Sequence, residues 1–133
     1  MEFAMKTLND YVEHIYLINL PADKERLDRC QKLLDQEHID VEVFEAIDGT
    51  TLPPISERLQ RGRLGCLRSH VKVIQDAKMH GYENILVLED DIDFAPGMTE
   101  DFYRYAQDLE SLPPCDLLYL GVANLLDPIP LKG

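Results

Sequence analysis

The sequence ILVLEDDIDF, residues 85–94, runs from four apolar residues directly into a cluster of acids. A short apolar run that includes β-branched residues and stops at polar ones is typical of a buried strand. Like charges this close repel one another unless a cation lies among them. The stretch therefore predicts a strand inside a sheet, and it suggests that the acids at its carboxyl end bind a cation. These acids are Glu89, Asp90, Asp91 and Asp93.

The segments on both sides of this stretch predict an α/β fold, a mostly parallel sheet flanked by helices. Strands rich in β-branched and aromatic residues alternate with segments of helical periodicity. Asp23 is expected to cap the first helix and Gly81 to end the second. Such alternation is typical of a sheet covered on both faces. The predicted strands are residues 14–20, 41–47, 85–88 and 116–121, and the predicted helices are 22–38, 65–80 and 99–109, with a polar, proline-bearing loop at 50–63.

Composition excludes several classes of function. The 133 residues fit one domain, and a net charge of -12 disfavours nucleic acid and anionic membranes as partners. Three widely spaced cysteines form no disulfide framework, which favours a reducing, cytoplasmic location. There is no apolar run long enough for a membrane span. We interpret residues 1–13 as a vector-derived remnant with an N-terminal extension, and 14–133 as the domain.

Ligands of parallel sheets bind beyond the carboxyl ends of the strands, where Asn19, Asp48 and the acidic cluster all fall. Acids in this position suit Mg²⁺ or Mn²⁺, which prefer oxygen ligands. The alternative is that they are solvated turn residues, with Asp90 or Asp93 capping a neighbouring turn.

Two further segments suit an anionic ligand. GCLRSH, residues 65–70, is expected to open a helix at Gly65 and to offer its N-H groups to an anion, with Ser69 and His70 facing the same crevice. The alternative is a helix hydroxyl and a core or surface histidine. Arg26 and Arg29 follow the first strand, within reach of a phosphate. For Arg29 we prefer ordinary ion pairs with neighbouring acids.

The order of these segments resembles glycosyltransferase family 25, which contains lipooligosaccharide galactosyltransferases and collagen galactosyltransferases. The resemblance covers nearly all of the chain after residue 13. GCLRSH followed by LVLEDD is its most diagnostic pair, and AIDG adds to it. The matching segments are IYLINLPADKERLDR, FEAIDGTTL, GRLGCLRSHVKVIQDAKMHGYENILVLEDDIDF and DLLYLG.

The resemblance implies a GT-A type fold, incomplete in this chain, that binds a nucleotide sugar, usually UDP-linked. Mn²⁺ or Mg²⁺ would bridge the diphosphate, with Asp91 or Asp93 as the direct ligand. The residues expected at the nucleotide sugar are Asn19, Arg26, Ala46, Asp48, Gly49, Gly65, Ser69, His70, Glu89 and Asp90.

The implied reaction moves a hexose, galactose by expectation, from a UDP-sugar to a glycan acceptor in lipopolysaccharide or lipooligosaccharide biosynthesis. The family is regarded as inverting, so one in-line displacement is implied, and the sequence does not identify the general base. The base and the acceptor site are expected after the fourth strand, in a part that this chain lacks. The sheet edge left open there makes a homodimer one expected outcome.

Three other functions compete with this one. A non-catalytic nucleotide-sugar-binding or regulatory module would keep the pocket without the reaction. A phosphorylation receiver domain carries its acidic pair on the first strand and its phosphoacceptor on the third, which does not fit here. A phosphatase of the Asp-x-Asp-x-Thr type needs a threonine that DIDF, residues 91–94, lacks.

Overall fold

The computed structural model of the chain describes residues 6–53, 61–111 and 113–121. These residues form an open three-stranded sheet that is parallel throughout, in the order β2-β1-β3, with helices on both faces. The predicted α/β class and the parallel sheet are therefore confirmed. The elements are β1 His14–Asn19, α1 Lys24–Gln36, β2 Glu42–Glu45, α2 Arg61–His80, β3 Ile85–Glu89 and α3 Met98–Glu110.

The central strand β1 supplies both hydrophobic cores through alternate side chains. Leu17 packs on the face that carries Leu34 of α1, whereas Tyr16 packs on the opposite face with Val73 of α2. All four side chains are fully buried. This period-2 alternation explains why the strand has apolar or aromatic residues on both faces.

Capping residues predict two helix ends nearly correctly, the start of α1 and the end of α2. Asp23 occupies the N-cap position of α1, but its carboxylate makes no capping hydrogen bond; its backbone carbonyl accepts from the Leu27 amide. Helix α2 ends at His80, and Gly81 follows with a positive φ of 73°. That conformation suits glycine, as the sequence predicts.

Residues before the predicted domain start also contribute to the core. Leu8–Asp10 forms a short 3-10 turn, and Leu8 is buried in the cluster that contains Leu17. Residues 1–5, which hold the predicted vector remnant, lie outside the described residues. No helix in the described part of the chain combines the length and the apolar character needed to cross a bilayer.

Helix α2 corrects the predicted start at Gly65. Residues from Arg61 onward are already helical, so Gly65 lies inside the helix and does not offer a free N-terminus to an anion. Arginine and leucine are good helix formers, and they outweigh the glycines of this segment. A Cβ at Gly65 would lie 2.7 Å from the Ile47 carbonyl oxygen, so the glycine is there for close packing. Half of the predicted loop at 50–63, residues 54–60, falls outside the described ranges, and residues 61–63 belong to α2.

The predicted fourth strand at 116–121 is wrong. Residues 113–121 contain no strand and do not pair with the sheet, and Leu117 and Tyr119 are each 68% exposed. An apolar segment becomes a strand only when its backbone groups find partners on a neighbouring strand. In the described part of the chain, β3 is therefore an edge strand.

Candidate functional site

The helices that follow β1 and β2 create a topological switch point between these two strands. Helix α1 follows β1 on one face of the sheet, and α2 follows β2 on the opposite face. The loops after β1 and β2 therefore diverge and open a crevice at the carboxyl edge, the usual ligand site of such sheets. Asn19 ends β1 at this crevice, and Glu89 ends β3.

Asn19 connects the ends of all three strands. Its backbone carbonyl accepts a hydrogen bond from the Ala46 amide after β2, at 2.9 Å. Its side-chain Nδ2 donates to the Asp23 carbonyl at 3.2 Å and to Asp90 Oδ2 after β3 at 3.0 Å. The residue is 4% exposed. A buried amide with this many partners fixes the relative positions of the three loops that border the crevice.

The first two turns of α1 hold the acidic loop from one side. Arg26 Nη1 donates to Asp90 Oδ1 at 3.3 Å, and Arg29 Nη2 donates to the Ile92 carbonyl at 2.6 Å. The Cys30 thiol donates to the Asp90 carbonyl at 3.1 Å, and burial raises the pKa of this thiol. The contacts of Asp90 thus fix the position of its own loop. Arg29 bonds to the backbone of that loop and not to the neighbouring acids that we expected.

Helix α2 holds Glu89 from the other side. His70 Nε2 lies 2.8 Å from Glu89 Oε1, and the Cys66 thiol donates to the same oxygen at 3.2 Å. The hydrogen bond with His70, followed by that from Cys66, lowers the pKa of Glu89. Partial burial, followed by the neighbouring Glu89 carboxylate, raises the pKa of Cys66 to about 11. The thiol is therefore protonated at neutral pH and acts as a donor.

Asp91 and Asp93 are both exposed at the tip of the acidic loop. Asp93 Oδ1 accepts from the adjacent Phe94 amide at 2.9 Å, a local turn contact of the kind that the alternative interpretation expects. Asp91 accepts no hydrogen bond from any residue within 6–53, 61–111 or 113–121. Its carboxylate is therefore the one in the described acidic cluster that remains fully available to a cation.

The turn after β2 is shaped by packing against α2. The Ser69 hydroxyl accepts from the Ile47 amide at 2.8 Å and donates to the Gly65 carbonyl at 2.7 Å. Ser69 is 1% exposed, so its hydroxyl does not face the crevice as we expected. It affects the crevice by fixing the position of the Ile47 backbone. A Cβ at Gly49 would lie 1.9 Å from the Arg61 carbonyl oxygen. Gly49 and Gly65 thus let the turn and the helix meet backbone to backbone.

Asp48 begins the short 3-10 turn Gly49–Thr51 in this segment. Its Oδ1 accepts from the Thr50 amide at 2.9 Å and from the Thr50 hydroxyl at 2.7 Å. These two hydrogen bonds lower the pKa of Asp48. The carboxylate is exposed and ionised, and its described contacts are to its own turn.

An open groove of about 710 Å³ runs between the loops after β1 and β2. Residues 20–23 and 44–48 form its walls, together with Thr51 and Lys72. Of the predicted site residues, Ala46 and Asp48 line it. A smaller cavity of about 370 Å³ near Tyr11 contains none of the predicted residues. The groove is therefore the better candidate for a ligand.

Lys72 is the residue that the sequence analysis missed. It lies on α2 three residues after Ser69, on the side of the helix that meets the loop after β2. The helical spacing from Gly65 and Ser69 carried this signal, but a lysine on a polar helix is ordinarily a solvated residue. The fold brings Lys72 to the wall of the groove.

Similarity to known proteins covers most of the chain, including this crevice. A family model described as "Glycosyltransferase family 25 (LPS biosynthesis protein)" matches residues 12–119. The match includes the loops after β1, β2 and β3 that border the crevice.

Three curated relatives illustrate the range of similar proteins. A glycosyltransferase 25 family member of Aedes aegypti is 31% identical over 132 aligned positions, which cover 86% of this chain and 22% of the mosquito protein. Procollagen galactosyltransferase 2 of Mus musculus is 29% identical over 128 positions, covering 82% and 20%. A "Probable inactive glycosyltransferase 25 family member 3" of Rattus norvegicus is 27% identical over 128 positions, covering 82% and 22%. The chain spans about a fifth of the length of these relatives.

Proposed function

This chain belongs to glycosyltransferase family 25, and we propose that its described residues bind the donor of a metal-dependent hexose transfer. The donor is a UDP-sugar, UDP-galactose in the first instance, and the acceptor is a glycan. The observation that carries the proposal is the pair of contacts made by Asn19, to Ala46 and to Asp90. They connect the loop that lines the groove to the acidic loop, and we infer that the two form one site at the carboxyl edge of the sheet.

The groove suits the nucleoside half of the donor. Its volume of about 710 Å³ lies within the usual range of roughly 300 to 1,000 Å³ for small-molecule sites. Phe44 and Ala46 supply apolar surface for a base, and Asp48 and Thr51 supply polar groups near a ribose. Lys72 adds a positive charge for the diphosphate, which the net charge of -12 would otherwise repel.

The acidic loop suits the cation that would accompany the diphosphate. The exposed donors, Asp91 and Asp93, are carboxylates, and oxygen ligands of this kind fit Mn²⁺ or Mg²⁺. The available carboxylate of Asp91 makes it the first candidate ligand, and Asp93 the second. When bound, such a cation neutralises the negative charge that develops on the departing UDP.

The remaining residues of the site fix the positions of the acidic loop and of the groove wall. Asn19 and Arg26 fix Asp90 and with it the acidic loop, on which Asp91 is exposed. Ser69 fixes the wall of the groove through the Ile47 amide. No described residue is assigned as the base that deprotonates the acceptor hydroxyl. An inverting, single displacement remains the proposed stereochemistry.

The acceptor that we propose is a lipopolysaccharide-type saccharide, which the description of the family model supports. Two of the relatives described above favour alternatives. The mouse relative is named for procollagen, and the rat relative is named as probably inactive. A non-catalytic nucleotide-sugar-binding module is therefore the second candidate function. A cytoplasmic location is proposed from the three free cysteines, Cys30, Cys66 and Cys115.

Calorimetric titration with UDP-galactose, UDP-glucose and GDP-mannose, with and without Mn²⁺, tests the donor proposal. We expect UDP-galactose to bind best and only weakly without Mn²⁺. Lys72→Gln should weaken binding by about threefold to tenfold, because a charged hydrogen-bond partner of the diphosphate is lost. Lys78→Gln makes the same charge change six residues along the same helix, away from the groove, and should have no effect. Equal binding by the two variants, or preference for GDP-mannose, would contradict the proposal.

Transfer of radiolabelled galactose to a lipooligosaccharide core and to a procollagen peptide then separates the two candidate functions. Transfer to the saccharide supports the enzyme as proposed, and transfer to the peptide would replace the acceptor. Binding of the donor without transfer to either acceptor, both by this chain and by any longer protein that contains it, would favour the non-catalytic module.

A further inference from the structure

Three side chains of different chemistry converge where α2 meets the end of β3. Cys66 and His70 are one helical turn apart on α2, and Glu89 is the last residue of β3. One potential ligand atom from each lies within 4.8 Å of the other two. Helix periodicity brings the first two together, and the packing of α2 on the sheet adds the third.

We propose that Cys66, His70 and Glu89 form a binding site for a borderline-soft divalent cation of the Zn²⁺ type. The site is distinct from the all-oxygen donors at Asp91 and Asp93, and it does not depend on the transferase function proposed above. One sulfur, one imidazole nitrogen and one carboxylate oxygen make a donor set that suits Zn²⁺ and disfavours Mg²⁺.

The distances are those of a site that needs little rearrangement. Ligands of one tetrahedral Zn²⁺ lie about 3.3 to 3.6 Å apart, given metal-ligand bonds of about 2.0 to 2.3 Å. His70 Nε2 lies 2.8 Å and Cys66 Sγ lies 3.2 Å from the same Glu89 oxygen. Each contact therefore has to open by a few tenths of an ångström, which rotations of exposed side chains allow.

The exposure of the three side chains and their number also suit a Zn²⁺ site. The side chains of His70 and Glu89 are 37% and 46% exposed, and Cys66 is exposed as well. Three protein ligands leave a fourth position for water. Binding replaces the two hydrogen bonds to Glu89 by three coordination bonds, and the thiol proton passes to solvent. The ion would clamp α2 to β3 directly beside the acidic loop.

The test uses Co²⁺ as a spectroscopic probe for Zn²⁺. The wild-type chain should bind one equivalent with a thiolate-to-cobalt charge-transfer band, and Zn²⁺ should displace it. Cys66→Ser should abolish the band and weaken Zn²⁺ binding by more than about 100-fold, beyond the loss that outer-shell changes cause. Cys115→Ser removes an exposed thiol elsewhere and should change nothing. Asp91→Asn should also retain the band, since the proposed ligands remain.

Alkylation of the wild-type chain gives a second measurement that requires no variant. Zn²⁺ should slow iodoacetamide labelling of Cys66 at least tenfold and leave labelling of Cys115 unchanged, as peptide mass spectrometry would show. An unchanged cobalt spectrum in Cys66→Ser, or equal labelling of Cys66 with and without Zn²⁺, would overturn the proposal. The three side chains would then be a hydrogen-bonded contact between α2 and β3 only.

Discussion

The loops after β2 and β3 meet at the same edge of the sheet but are stabilised in opposite ways. The loop after β2 is fixed by backbone packing, since Gly49 and Gly65 allow it to lie directly against α2 and Ser69 bonds to its backbone. The loop after β3 is fixed by side chains on either side of it. Arg26 binds Asp90, and α2 holds Glu89.

Because of this difference, substitutions in the two loops should have different effects. Substitutions in the loop after β2 should act on the fold, because its contacts have no space to adjust. Substitutions in the loop after β3 should act mainly on what binds there, because exposed ion pairs contribute little to stability.

Gly49→Ala should cause the largest loss, about 3 kcal/mol or more in the free energy of unfolding, because overpacking typically costs 1 to 3 kcal/mol and this Cβ meets rigid backbone. It would lie 1.9 Å from the Arg61 carbonyl oxygen. Urea denaturation followed by circular dichroism measures the effect. Gly62→Ala is the control, since a Cβ there meets nothing within 4 Å and alanine favours the helix by about 1 kcal/mol. Equal stability of the two variants would show that the loop is not fixed by packing.

Ser69→Ala should cost about 1 to 3 kcal/mol, because the Ile47 amide loses the hydroxyl that satisfies it in the interior. The same denaturation measurement applies. Ser111→Ala removes an exposed hydroxyl and should change stability by less than about 0.5 kcal/mol. A Ser69→Ala variant as stable as Ser111→Ala would mean that the amide finds another partner.

Glu89 should make stability depend on pH in the acid range. Its folded-state pKa is lowered, chiefly by the His70 hydrogen bond, so its contribution is present above the unfolded pKa and is lost as the pH falls through the folded value. Glu89→Gln should therefore lose less stability than the wild type between about pH 5 and pH 3. Urea titrations at several pH values measure this, with Glu83→Gln as the charge-matched control. Parallel pH profiles for wild type and Glu89→Gln would contradict the assignment.

The sequence predicted the strands and helices wherever the local pattern and the fold agree. The alternation of β1, the acidic end of β3 and the glycine after α2 each have a local cause, so β1, β3 and the C-terminal end of α2 were located to within a residue or two. The assignment of Asn19 and Asp90 to one crevice followed from parallel strands sharing a carboxyl edge. Whether these residues contact a nucleotide sugar stays a prediction.

What the sequence did not predict depends on partners distant in the chain. Residues 116–121 have strand-like composition but no strand to pair with among the described residues, so composition alone misled. The glycine at position 65 suggested a helix start, whereas its cause is the carbonyl of Ile47 across the α2 interface. Lys72 has no local feature that distinguishes it from a solvated lysine, and only the packing of α2 brings it to the groove.

The most direct test of the account is Mn²⁺-dependent binding of UDP by Asp91→Asn. Asp91 makes no described hydrogen bond, so the variant should match the wild type in unfolding free energy to within about 0.5 kcal/mol. Calorimetry should nevertheless show that added Mn²⁺ no longer strengthens UDP binding, whereas Asp108→Asn, with the same charge change on α3, should behave like the wild type. A folded Asp91→Asn protein that binds UDP and Mn²⁺ as tightly as the wild type would contradict the claim that the acidic loop carries the cation of a donor site.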